Sequence, residues 1–474
     1  MAEYTKLTPE LIEELKALAA PGHVVSGEDI NADYARDEMP IYGEQMPEAA
    51  LIAYSEEEIA AVVKFCNEHR IPVTTRGAGT GLVGGCVPVY GGVVIDTTRM
   101  KQIIGYDLEN FSVTIQPGVL LQDLAADALT HGMLYPPDPG EKLATVGGNV
   151  ATNAGGMRAV KYGATRDYVL AMRVVLANGE VTSFGAKVSK TSSGYSLLNL
   201  LIGSEGTLGI ITELTLKLIP APKTTISLIV PFEDLETAIS TVPKVKMANL
   251  DPQALEFMER EIILSSERYV GREVFPKKMD GVDVGAYLMI TLDGENEEEI
   301  MGRVEQAAEL LVEAGAIDVM VVDNPQKLRD AWATRSSFLE AIMEETKLLD
   351  ECDVVVPIKE IARFLTFAKK TGEECGLEIK SFGHAGDGNL HIYQCSNDLE
   401  KEEFEKRVDT YFEKLYKEAT ACGGLVSGEH GIGRGKVKYL ADSVGETNME
   451  LMRGIKNVFD PNLILNPGKV CYKS

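Results

Sequence analysis

The chain has 474 residues, is 45% hydrophobic and carries a formal net charge of −26. That length exceeds a single core, so two or three domains are expected. So acidic a chain is repelled by nucleic acid and by anionic lipid, which argues against both as partners.

Seven cysteines (66, 86, 352, 375, 395, 422, 471) are scattered, with no CxxC. The usual iron–sulfur and structural zinc spacings are therefore missing. An odd count fits reduced thiols in a cytoplasmic protein better than a disulfide framework. The first twenty residues include acidic ones and no long apolar run. They read as neither a signal peptide nor a membrane-inserting helix.

Residues 1–45 read as a helical lead-in, with Thr8 as cap and Pro9 in the first turn. Ser55 and Glu58 form a capping box, and Ile59, Val62, Val63 and Cys66 then recur at helical spacing. Pro72 stops that helix. A short strand, 71–76, runs into RGAGTGLVGG, which contains GxGxxG from Gly79 to Gly84. A dinucleotide fingerprint needs a helix straight afterwards. The following GGCVPVYGGVVIDTT reads as loop and strand, so this is no nicotinamide motif. Its backbone N–H groups suit an anion nest, and a tight structural turn is the alternative.

Strands near 93–96 and 113–116 and a helix over 120–130 follow. Then come PPDPG (136–140) and TVGGNVATNAGG (145–156), where eight of twelve residues are Gly, Ala or Asn. Such a run packs poorly against itself and is expected to touch something large and flat. Asn178-Gly179 marks a hairpin within 174–184, and SEGTLG (204–209) leads into a strand at 210–219.

Pro220-Ala221-Pro222 marks a boundary. Beyond it, strand-like runs at 224–230, 286–292, 317–322, 352–356 and 377–382 alternate with helical runs at 232–240, 296–314, 326–345 and 359–375. The pattern predicts an antiparallel sheet with helices on one face, an α+β arrangement. A charged helix over 398–421 and a last one at 448–458 complete the chain.

The chemistry concentrates in GHAGDGNLH, where His384 and His391 flank a run of small residues. Two imidazoles beside such a turn suit one metal ion, and SGEHG supplies Glu429 as a third ligand. Two His and one carboxylate form an open site for a divalent first-row metal, with zinc, iron and manganese all compatible. Ordinary hydrogen-bonded turn histidines are the other reading.

In order, RGAGTGLVGG, PPDPG, TVGGNVATNAGG, KYGATRDYV, GSEGTLGI, GHAGDGNLH, SGEHGIGRGK and NPGK lie between Arg76 and Lys469, within a match that runs from about residue 45 to 471. Together they resemble the FAD-linked oxidase and dehydrogenase family of the vanillyl-alcohol oxidase superfamily. The branch is that of D-lactate dehydrogenases, D-2-hydroxyglutarate dehydrogenase and glycolate oxidase. The resemblance implies an FAD-binding domain of two α/β subdomains over 46–220 and a substrate-binding cap over 221–420. A C-terminal segment, 421–474, would return to the FAD domain. It implies cofactor contacts from Arg76, Gly77, Ala78, Gly79, Thr80 and Gly81. Further contacts are implied from Asp138, Thr145, Gly147, Gly148, Asn149, Ala151, Gly155, Glu205, Gly209, Ile210 and Asn466. Thr80 stands where covalent flavoproteins of the superfamily often have His, so FAD is expected to be non-covalent. The resemblance makes His384, His391 and Glu429 the metal ligands, His430 the base, and Arg335 the holder of the substrate carboxylate. A surface arginine on a helix is the alternative for Arg335.

The implied reaction is oxidation of a D-2-hydroxy acid, foremost D-lactate, by hydride transfer to flavin. Glycolate and D-2-hydroxyglutarate are alternatives, with a quinone or iron–sulfur partner. The chain has neither a nicotinamide fingerprint nor iron–sulfur spacing, so its electrons need an outside acceptor. The likeness favours an electron-transfer flavoprotein, in complexes that can bifurcate electrons. Two rival classes are a metal-free flavoenzyme acting on an alcohol or alkyl ether, and a non-catalytic subunit.

Overall fold

The computed structural model describes residues 3–322 and 324–472. Packing divides them into two units. The first holds the described residues up to Gly155, then Ala164–Ala221, then those from Glu429 onward. The second holds Gly156–Gly163 and Pro222–Gly428. The octapeptide 156–163 thus belongs to a different unit from both of its chain neighbours.

In the first unit, Val24–Ser26, Ala49–Ile52, Val93–Asp96 and Val73–Arg76 lie side by side in that order, the last three parallel. The connecting helix Glu56–His69 buries Ile59, Val62, Val63 and Cys66 completely, as its spacing predicts. Ser55 Oγ accepts from Glu58 N at 3.3 Å. The reciprocal half of the capping box is not found among the described residues: the Glu58 carboxylate accepts from the N–H groups of Ala20 and Tyr54 and pairs with His23. Arg70, at φ 54°, ends the helix.

A second, antiparallel sheet runs Ile103–Asp107, Ser112–Ile115, Ile210–Lys217, Val169–Val175, Val181–Gly185. Val175 and Ile210 share one core with Leu51, Val62, Ile95 and Leu465. The Gly-rich stretch 145–156 contains a two-turn helix, Val146–Thr152, capped by Thr145.

The second unit is built on a seven-stranded sheet. Its order is Met320–Val322, Thr224–Phe232, Ala286–Gly294, Ala254–Glu259, Glu378–His384, Asn389–Ser396, Leu348–Val355, and every pairing is antiparallel. The α+β class holds. Helices on one face do not: every residue from Ala286 to Asp293 is buried, so both faces are covered. On one face Ile262, Ile263, Ala331, Phe338 and Ile342 pack on Ile229, Met258, Tyr287, Met289, Phe382 and Tyr393. On the other, Ser381 bonds Glu259 at 2.6 Å, and Lys369 of helix Ile361–Cys375 reaches the same carboxylate. The helix expected over 326–345 is two, Pro325–Ser336 and Phe338–Glu345, broken at Ser337. Strand Ala254–Glu259 and helix Arg260–Val270 have no counterpart in the sequence reading. All six strand residues are buried, so polar alternation, the usual signal, is missing.

Candidate functional site

His384 ends strand Glu378–His384 and His391 is third in Asn389–Ser396. The register pairs His384 with Asn389 and His391 with Phe382. Both imidazoles therefore leave the same face of the sheet, since side chains alternate along a strand. The tight turn between them needs its glycines. Gly388 has φ +84°, and a Cβ there would lie 2.0 Å from Val356 O. A Cβ on Gly386 would meet Val160 at 2.3 Å. Lys246 Nζ donates to Gly386 O at 2.6 Å, tying the turn to helix Leu235–Met247.

The two rings are buried and perpendicular, with Nε2 atoms 3.5 Å apart. Each Nδ1 faces a buried carboxylate. His384 Nδ1 lies 2.8 and 2.9 Å from the Glu256 oxygens. His391 Nδ1 lies 3.2 Å from Glu351 Oε1. An ionised carboxylate only accepts, so each ring donates through Nδ1, and the facing Nε2 atoms can share a proton or offer lone pairs to a cation. The 3.5 Å separation is within reach of two metal–nitrogen bonds of about 2.0–2.1 Å each. The donor set fits a divalent ion.

Glu256 is fully buried, and burial raises its carboxyl, but the charges and hydrogen bonds of His384 and Arg335 outweigh this, leaving it below the usual range. Arg335 is buried, contrary to a surface-helix reading. Its Nε and Nη2 donate to Glu256 Oε2 at 3.0 and 2.6 Å. The guanidinium sits over Phe338 and Phe382 at 5.2 and 4.9 Å. No hydrogen bond from Nη1 is found among the described residues.

Asp353 sits opposite His391 in the ladder. It accepts from Asn389 Nδ2 (2.7 Å), Ser427 Oγ (2.6 Å) and Gly428 N (3.0 Å). The peptide preceding Glu429 is thereby fastened beside His391.

The first unit gathers the glycine motifs. Arg76 ends its strand and turns its guanidinium inward, donating to Arg36 O at 2.5 Å and lying 3.1 Å from Cys86 Sγ. Past it, no hydrogen bond from the N–H groups of Gly77, Ala78, Gly79, Thr80, Gly81, Leu82 or Val83 is found among the described residues. Seven successive peptide donors without protein acceptors make a ready anion cradle. A Cβ on Gly77 would lie 2.2 Å from Thr145 Oγ1, and one on Gly147 2.5 Å from Pro117. The loop thus approaches the Thr145 side chain that caps helix Val146–Thr152, which carries Gly148, Asn149 and Ala151, too closely for a side chain at 77, and the helix itself packs on Pro117 through Gly147. Asn149 Nδ2 is buried without a hydrogen-bond partner among the described residues. Gly155 lies against Glu429, where a Cβ would fall 2.7 Å from Oε2.

Glu205, at φ 53°, accepts from Ile432 N and Gly433 N, both at 2.7 Å. Asn466 Nδ2 donates to Gly85 O and Glu205 O at 2.9 and 2.7 Å. These two staples bring the SEGTLG, GEHG, NPGK and first glycine motifs together. His430 Nε2 is 3.8 Å from Glu429 Oε1. Asp138 pairs with Lys142. Gly209 is explained by packing, 2.4 Å from Val174 for a Cβ, and Ile210 lies in the core.

Sequence reasoning missed Glu256, Glu351, Asp353 and Asp37. Asp37 Oδ2 accepts from Gly84 N at 2.6 Å and closes the end of the glycine loop. Burial raises its carboxyl to about 6 against the pull of its backbone donors and Arg76.

Residues 221–470 match the description "FAD linked oxidases, C-terminal domain", and residues 47–185 match "FAD binding domain". The chain belongs to the FAD-linked oxidase family. It is 62% identical over 471 residues to a D-lactate dehydrogenase of Anaerostipes hadrus, covering 99% of each chain. It is 36% identical to the GlcD component of glycolate oxidase from Bacillus subtilis, covering 98% of each. In fold it is similar to p-cresol methylhydroxylase, with TM-score 0.79 and 20% identity, covering 100% of this chain and 99% of that one. As a member of the FAD-linked oxidase family the chain is an FAD-dependent oxidoreductase. The donor loop at Gly77–Val83, the side-chain-free approach at Gly77 and the unpartnered Asn149 amide fit that cofactor. No helix among the described residues is long and apolar enough to cross a membrane.

Proposed function

We propose that the chain oxidises a D-2-hydroxy acid, foremost D-lactate to pyruvate, with FAD and a divalent ion. The observation that carries this is the imidazole pair: two Nε2 atoms at 3.5 Å, each backed by a carboxylate on Nδ1. Metal-bound histidines commonly have that backing. Relatives acting on D-lactate and glycolate support the substrate class.

His384 and His391 hold the ion, with Glu429 as third ligand. An ion there supplies a Lewis acid that acidifies the substrate hydroxyl. His430 takes the hydroxyl proton. Arg335 presents Nη1 to the substrate carboxylate. FAD, when bound, supplies the acceptor for the hydride from the substrate carbon. The cradle at Arg76–Gly81 and the helix from Thr145 hold its diphosphate non-covalently. Electrons leave to an electron-transfer flavoprotein in a cytoplasmic complex, with electron bifurcation as its extended form, because the sequence has no iron–sulfur spacing of its own.

Anaerobic bleaching of the flavin by a panel of D- and L-2-hydroxy acids, with metal analysis of the same sample, tests this. D-lactate is expected to bleach fastest in metal-containing protein. Faster reduction by glycolate or D-2-hydroxyglutarate reassigns the substrate, and full-rate bleaching in metal-free protein removes the ion.

A further inference from the structure

Glu256 occupies a singular place on the central sheet. Its carboxylate is fully buried, accepts His384 Nδ1 on both oxygens, and takes the Arg335 fork on one. Glu351, by contrast, accepts His391 Nδ1 from the edge strand Leu348–Val355. We propose that Glu256 is a positioning residue that locks the metal-binding imidazole and the carboxylate-binding guanidinium into one rigid assembly, so that removing its charge disturbs metal and substrate together.

The inference rests on the metal reading above. Its physical basis is shared acceptance. An anion between two donors fixes the His384 tautomer, keeping the Nε2 lone pair for the ion. It also draws Nε and Nη2 of Arg335 to one side, leaving Nη1 as the edge offered to substrate. The flat faces of Phe338 and Phe382 hold the guanidinium plane. A neutral amide at 256 accepts through one oxygen and presents N–H groups to the other donors, so one partner must turn away.

The test compares Glu256→Gln with Glu351→Gln in the full-length flavoprotein. Metal content and zinc affinity are measured first, then KM for D-lactate at saturating zinc. Both variants are expected to bind zinc about 10–100-fold more weakly. Only Glu256→Gln is expected to raise KM more than tenfold once zinc is saturating. Unchanged KM in Glu256→Gln, or an equal rise in both variants, overturns the proposal. Wild-type protein that binds no zinc sinks the metal reading instead, which the first measurement reports separately.

Should Glu256→Gln fail to accumulate as a flavoprotein, wild-type protein labelled with nitrogen-15 histidine decides. With zinc bound, two imidazoles are expected to coordinate through Nε2 with a proton on Nδ1. Coordination through Nδ1 overturns the proposal.

Discussion

His384 and His391 turn their Nε2 atoms toward each other at 3.5 Å, across rings set at 90°. With each Nδ1 serving a carboxylate, the facing Nε2 atoms either share a proton or offer two lone pairs to a cation, and the second case is the metal reading proposed above.

Replacing either imidazole tests this directly. His384→Ala and His391→Ala are each expected to lower zinc affinity by more than about 100-fold, beyond the effect of losing a backing carboxylate. Flavin content should stay normal, because the cofactor loops lie in the other unit. Elemental analysis and the flavin absorbance ratio report both quantities on one sample.

His430→Ala is expected to slow flavin reduction by about 10²–10⁴-fold, the usual contribution of a positioned base. Zinc content and FAD content should not change. Stopped-flow reduction at saturating D-lactate measures the loss, and near-wild-type rates would remove His430 from the scheme.

Gly77→Ala forces a methyl to within 2.2 Å of Thr145 Oγ1. Either the Thr145 hydroxyl gives up its bond to Gly148 N or the loop shifts, and its donors from Gly77 to Val83 with it. The expected product is folded protein with reduced FAD occupancy and about 1–3 kcal/mol less stability, typical of overpacking. Titrating the apoprotein with FAD gives the affinity, and thermal unfolding gives the stability.

Asp37 makes stability depend on pH in a definite direction. Its folded value, about 6, lies above the ordinary 3.8 because burial disfavours the charge. The protonated form is therefore held more tightly in the folded protein. Its contribution is complete below about pH 4 and is lost as pH rises through about 6. The loss is on the order of 3 kcal/mol. Asp37→Asn keeps an oxygen for Gly84 N and cannot ionise. Its Tm relative to wild type should rise between about pH 4.5 and 7, and a pH-independent difference would contradict the burial argument.

The candidate residues legible in the sequence are those with unusual local chemistry. His384, His391 and the glycines around them announce themselves because a tight turn needs small residues and few other histidines compete. The α+β class followed from alternating strand and helix runs. Glu256 stayed hidden because it lies on ALEFME, a strand whose both faces are buried, where a glutamate reads as a solvent-facing side chain. Glu351 and Asp353 were hidden for a different reason: their partners come from 40 and 36 or more residues away, and pairing at that range leaves no local periodicity. Coverage of the second face of the sheet was missed because Ala286–Asp293 has no polar side to reveal it.

The octapeptide 156–163 has a practical consequence for dissecting the protein. Lys161 and Tyr162 both bond Asp293, whose side chain is 1% exposed, and Lys161 also reaches Asp251 at 3.0 Å. A fragment cut as one uninterrupted stretch from Pro222 to Gly428 would lack both partners and strand that aspartate as a lone interior charge, a defect worth several kcal/mol. The backbone passes between the units four times, so no single protease nick can release either one whole.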